Sequence, residues 1–129
     1  MKRETIHTTA ARPTPPFFSQ AVKVGPMIFV SGQLSRDAHG RIVGKGDMAA
    51  QTRQVIANLR AILHAAGADL RHVVKLTAFM TDMSLAEQAW KVREEAFGER
   101  PPASTGVEVS QLTHPDFMIE MEAIAVIDD

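Results

Sequence analysis

Phe117-Met118-Ile119-Glu120-Met121-Glu122-Ala123-Ile124-Ala125-Val126 is the stretch on which the fold turns. Successive side chains of a strand point to opposite sides of its sheet. One side therefore carries Phe117, Ile119, Met121, Ala123, Ala125 and, just beyond, Ile127. That is a core face. The other side carries Met118, Glu120, Glu122, Ile124 and Val126, so two carboxylates share a surface with aliphatic side chains.

Working outward, His72 to Met80 alternates in the same way, with Val74, Leu76, Ala78 and Met80 on one side and Val73, Lys75, Thr77 and Phe79 on the other. Met48, Thr52, Val55, Leu59, Ile62, Leu63 and Ala66 recur in steps of three and four, one stripe of a helix that Asp47 caps and Gly67 ends. Ser84-Leu85-Ala86-Glu87 has the spacing of a capping box and opens a second helix, with Leu85, Ala89, Val92 and Ala96 inward and Gly98 at its end.

Gly25-Pro26 separates Phe17 to Val24 from the apolar run Met27-Ile28-Phe29-Val30, the pattern of a hairpin, and Pro13 to Pro16 form an ordered lead-in. Ser35 to Gly46 reads as a loop with a short strand at Arg41 to Val43, and Thr105 to Ser110 as a further strand after Pro101-Pro102. This order fits one α+β domain over residues 1–129, a mixed sheet with both helices packed on one face. The second face would still expose Val73, Phe79, Ile124 and Val126, and association through it is the simplest remedy.

Composition narrows the function. A chain of 129 residues buries a core without outside help, and the lack of cysteine excludes disulfides, thiolate nucleophiles and Cys-ligated metals. Fourteen basic against fifteen acidic side chains, with no basic run, argue against a nucleic-acid partner. His7, His39, His64, His72 and His114 fall into no HxH, HxxH or HExxH spacing, so no metal is expected. Met1-Lys2-Arg3-Glu4-Thr5 has no apolar run behind its basic pair, and no stretch reaches bilayer-spanning length. A soluble cytoplasmic protein with no membrane partner is expected.

Several strings carry a resemblance. They are Pro16-Phe17-Phe18-Ser19-Gln20-Ala21-Val22, Phe29-Val30-Ser31-Gly32-Gln33, and Gln51-Thr52-Arg53-Gln54-Val55 leading to Asn58-Leu59 and Ala65-Ala66-Gly67-Ala68. Val73-Val74-Lys75-Leu76-Thr77 and Ile119-Glu120-Met121-Glu122-Ala123-Ile124-Ala125 complete the set. In joint order and spacing they resemble the Rid (RidA/YjgF-like) family over nearly the whole chain. The resemblance implies a chorismate-mutase-like fold and a homotrimer with inward-facing sheets and three small-metabolite clefts between subunits. It also implies the chemistry of the deaminating members: hydrolysis of enamines and imines such as 2-aminoacrylate to a 2-keto acid and ammonia, without cofactors.

In those members a Pro-Ala-Arg-Ser segment supplies an arginine whose guanidinium holds the substrate carboxylate through two parallel hydrogen bonds. Here the segment reads Pro102-Ala103-Ser104-Thr105-Gly106, with Ser104 in the arginine's place. A charge-assisted contact is worth roughly 1.5–3 kcal/mol, so weak action on 2-aminoacrylate is expected. Glu120 matches the family glutamate that positions the attacking water and is the catalytic candidate. Phe18, where many relatives have tyrosine, Ser31, Gly32, Trp90, where many have asparagine, Ser104, Thr105 and Gly106 make up the implied substrate-binding set. The changes at Phe18, Trp90 and Ser104 point to a drier or bulkier pocket, and Arg93 or Arg100 are the nearest cations to replace the clamp.

Read from the residues alone, Glu120 is either a general acid/base with a burial-raised pKa or a hydrogen-bonding carboxylate at a subunit boundary. Glu122 reads as structural, Ser31 equally as ligand contact or turn residue, and Trp90 as packing ahead of a ligand-stacking role. Two functions stay open: a Rid-type C–N hydrolase, and a non-catalytic trimeric ligand-binding or regulatory protein. A ribonuclease finds no basic groove, His pair or aromatic platform in the chain.

Overall fold

The two alternating stretches become the centre of one sheet. The computed structural model describes residues 1–127. Its strands are β1 (Arg3–Ile6), β2 (Ala21–Val24), β3 (Met27–Gln33), β4 (Val73–Met80), β5 (Ala103–Glu108) and β6 (Ile119–Val126), in the spatial order β1-β2-β3-β6-β4-β5. β6 runs antiparallel to both β3 and β4, and only β5 lies parallel to its neighbour, β4. A parallel pair needs a long crossover, which α2 (Ala86–Phe97) supplies between them. Helix α1 (Met48–Ala65) packs on β3 and β6 and beside α2.

The core forms where helical stripe and strand face meet. Val55, Leu59, Ile62 and Leu63 of α1 lie against Ile28, Leu76, Met121 and Ala123 of the sheet, all buried. Asp47 caps α1 by accepting from the Ala50 amide at 3.0 Å, and Gly67 follows it at φ +84°, a left-handed conformation that costs glycine least. Lys23 reaches across from β2 to donate to the Ala66 carbonyl at 2.9 Å, satisfying a helix end with a cation. No helix among the described residues is long and apolar enough to cross a membrane.

Several local expectations are corrected. The capping box at Ser84 does not form: Asp82 accepts from the Ser84 amide and hydroxyl, a single 3-10 turn over Met83–Leu85 intervenes, and α2 begins at Ala86 without a side-chain cap. Asp82 lies two residues nearer the strand end and intercepts the amides first. Val73 and Val74 exchange faces, because the β4–β6 register shifts between Val73 and Lys75; Val73 is buried and Val74 is 47% exposed. His72 is not in the strand; it ends a 3-10 turn, Leu70–His72, and its Nδ1 accepts from the Asp69 amide at 2.9 Å. β5 starts two residues before Thr105, and Phe117 precedes β6, buried in the loop under Arg36. The segment Arg41 to Val43 makes one bridge, Ile42 to Arg36, and β1 had no alternating signal strong enough to announce it.

Candidate functional site

Two groups of candidate residues emerge, on opposite faces of the sheet. β3 and β6 pair Val30 with Ala123 and then Gln33 with Met121, so β3 fits one extra residue into the step across Ser31 and Gly32. Such a bulge frees backbone and re-aims side chains. Ser31 turns away from the ladder: its amide donates to the Gln20 carbonyl at 2.9 Å and its hydroxyl to the Ser19 carbonyl at 2.6 Å. That pins the loop bearing Phe18, which stacks edge-on against Phe17 at 5.2 Å and is 38% exposed. Beside Ser31, the missing side chain of Gly32 is the space that the Glu120 carboxylate fills; a Cβ there would overlap Oε2.

Glu120 faces away from the helices, opposite Phe79 in the β4–β6 register. It is half-buried, and among the described residues its oxygens make no hydrogen bond. Burial pushes its pKa up; the nearby Arg12 cation opposes this and Glu122 reinforces it. Arg12 was not anticipated. Its carbonyl is held by the Gln20 side chain at 3.0 Å, its Nε is buried without a hydrogen-bond partner, and burial and Arg36 lower its own pKa while Glu120 raises it. The signal was weak in sequence, because an arginine in a proline-rich lead-in reads as exposed. Thr105 joins this face: it pairs with Thr77, and its Oγ1 accepts from Lys75 Nζ at 2.7 Å.

Ser104 and Gly106 lie on the other side. They pair with Leu76 and Ala78, both core residues beneath the helices. Trp90 of α2 rests its indole edge on Gly106, where a Cβ would come within 3.1 Å of the ring. Arg93, one helical turn on, lies 4.7 Å from the Trp90 ring centroid and donates to Ser104 Oγ at 2.7 Å. Of the two cations considered as replacements, Arg93 is the one that meets Ser104. Arg100 lines a separate surface depression with Arg71, Val73 and Val74. Burial lowers the Arg93 pKa, and among the described residues no carboxylate lies within ion-pair distance of it. An open cleft of about 590 Å³ runs beside this group, walled by Trp90, Phe97, Pro101 and Pro102, with Glu94 also at its edge.

Within one copy, then, Glu120 and Gly32 meet at the bulge beside Ser31, which holds the loop of Phe18; Thr105 shares only their face of the sheet, and Ser104, Gly106, Trp90 and Arg93 gather on the other. Among the described residues no three His, Asp or Glu side chains gather in metal-binding geometry.

Comparison with known proteins places this arrangement. Residues 8–127 match the family described as Endoribonuclease L-PSP. A RutC family protein of Pyrococcus abyssi is 47% identical over 126 residues, 97% of this chain and 98% of the relative. The YjgF gene product of E. coli, 37% identical, superposes with a TM-score of 0.88 over 95% of this chain and 98% of its own. The chain belongs to the Rid, or YjgF-like, family. Among Rid relatives, the mouse protein named 2-iminobutanoate/2-iminopropanoate deaminase is 34% identical over 96% of this chain and 91% of its own. The Rid fold expected from the motifs is the fold observed, a mixed six-stranded sheet with two helices.

Proposed function

We propose that this Rid protein hydrolyses the C–N bond of a small enamine or imine in a cleft assembled between copies of the chain, with Glu120 managing the attacking water. The observation that carries the reading is the seat of Glu120: a half-buried carboxylate laid over the bare backbone of Gly32, with a raised pKa and no hydrogen bond of its own among the described residues. A carboxylate committed to a structural bond would have a partner. One with a raised pKa is a better proton acceptor and donor near neutrality.

The chemistry follows in balanced steps. An enamine first takes a proton at carbon to become the iminium. Water then adds to the iminium carbon, forming the C–O bond as Glu120 takes one of its protons. The resulting amino alcohol is protonated on nitrogen, the C–N bond breaks with its electron pair leaving on ammonia, and loss of the hydroxyl proton leaves the 2-keto acid. The mouse relative is named for a reaction of this class. Trimeric assembly fits the open sheet face, where Phe29 is 42% and Met27 37% exposed beside Ile124 and Val126. Ribonuclease action, named in the family description, finds no support in a chain of net charge −1.

The test is release of ammonia and keto acid from freshly generated 2-aminoacrylate and 2-iminobutanoate by wild type and Glu120→Gln. A fall in kcat/KM on the order of 100-fold or more is expected for a lost general acid/base. Undiminished turnover in Glu120→Gln, or none in wild type with either these or larger imines, overturns the reading.

A further inference from the structure

We infer that the cleft between α2 and β5 selects 2-imino acids with a bulky apolar side chain, held by Arg93 in place of the family arginine and oriented by Trp90. This rests on the functional reading above and adds to it the substrate's size and character.

Arg93 and Trp90 are three residues apart on α2, so they are neighbours on its surface. The indole covers the guanidinium at 4.7 Å, and Ser104 accepts one of its N–H groups at 2.7 Å. Two fixed contacts thus set the plane of a cation that no carboxylate neutralises among the described residues. A planar guanidinium so held matches a carboxylate bidentately, which lysine cannot do. Ser104 does not substitute for the lost clamp; it steers the arginine that does.

Moving the cation from the strand to the helix changes the shape of the space around it. An arginine at position 104 would spring from the sheet floor, whereas Arg93 reaches that floor from the helix and leaves the cleft beside it open. The remaining wall is Trp90, Phe97, Pro101 and Pro102, and the volume, about 590 Å³, is in the range that takes ligands much larger than a three-carbon acid. A small imino acid anchored on Arg93 would leave these apolar surfaces wet. A leucine- or phenylalanine-like side chain would cover them, at about 25 cal/mol per Å² buried. Glu94 at the cleft edge disfavours a second carboxylate on the substrate.

Imines generated in situ by an amino-acid oxidase from alanine, leucine and phenylalanine provide the test. The expected kcat/KM is at least 10-fold higher for the two larger imines than for the alanine-derived one. Arg93→Met should lower it at least 10-fold for all, Arg93→Lys should recover only part, and Trp90→Asn should erase the size preference. Equal or faster hydrolysis of the alanine-derived imine, with Glu120→Gln inactive, overturns this inference and leaves the functional reading standing.

If no imine is turned over, the functional reading fails, and binding decides the inference. Trp90 is the only tryptophan and the chain has no tyrosine, so its fluorescence reports on the cleft alone. Titration with 4-methyl-2-oxopentanoate should give a Kd at least 10-fold below that of pyruvate, and Arg93→Met should lose the response. Equal affinities, or a response unaffected by Arg93→Met, overturn it.

Discussion

Glu120 is a carboxylate placed where its charge is poorly solvated, and the cost is measurable. A carboxyl whose folded pKa lies above its unfolded value contributes stability fully below the unfolded pKa and loses it as pH rises through the folded pKa. Burial is the chief cause of the upward shift, with Arg12 opposing and Glu122 adding. Glu120→Gln removes the ionised form, so its Tm should equal that of wild type near pH 4 and exceed it at pH 8. Arg12→Met removes the opposing cation and raises the Glu120 pKa further. The acid limb of the kcat/KM profile should then move to higher pH, with no such shift from the surface variant Arg41→Met. Gly32→Ala pushes a methyl into Oε2 and should lower kcat/KM at least 10-fold while changing Tm little, since no left-handed backbone is required there. Of these residues, Glu120 and Gly32 were named as candidates through the resemblance to the Rid family, and the structure sets them against each other. Arg12 was not, because its partners arrive through a loop and a bulge that no local pattern encodes.

At the scale of elements, buried polar side chains do the joining. Gln51 of α1 is fully buried; its Nε2 donates to the carbonyls of Gly44 and Asp116 at 3.1 and 2.7 Å, and its Oε1 accepts from the Met118 amide at 2.8 Å. It fixes the approach to β6, and hence the register that delivers Glu120. Gln51→Leu strands three backbone groups and should cost about 3 kcal/mol in denaturant unfolding, at the upper end for one buried site. Asp47→Ala, by contrast, removes only a cap and should cost about 1 kcal/mol. Helix α1 and the central strands were readable because period and burial agree over many residues: every position of the predicted α1 stripe is buried. Where they were misread, one local competitor decided the outcome. Asp82 took the Ser84 amide that Glu87 would have reached and occupied the Ser84 hydroxyl, and the shift at Val73 to Lys75 exchanged two valines that alternation alone put on the wrong faces.

At the scale of the molecule, the sheet has one face covered by the helices and one on which Phe29 and Met27 stay exposed. Phe29, Ile124 and Val126 lie there in register beside the two glutamates. Phe29→Glu should convert an assembly near three times 14.1 kDa into monomer by sedimentation, and activity should fall with it. The sequence showed most of the bare face but not the division of the site, because the expected strand began at Thr105 and left Ser104 outside it, whereas β5 starts at Ala103 and pairing with Leu76 and Thr77 sends Ser104 and Thr105 to opposite sides. That division has a genetic consequence. If Arg93 of one chain meets Glu120 of the next, a chain lacking the arginine and a chain lacking the glutamate are each sterile alone but complement each other when co-assembled. Random assortment leaves about one cleft in four with both groups intact, so co-refolded Arg93→Met and Glu120→Gln should regain about a quarter of wild-type activity, and a cell carrying both defective alleles would not be null.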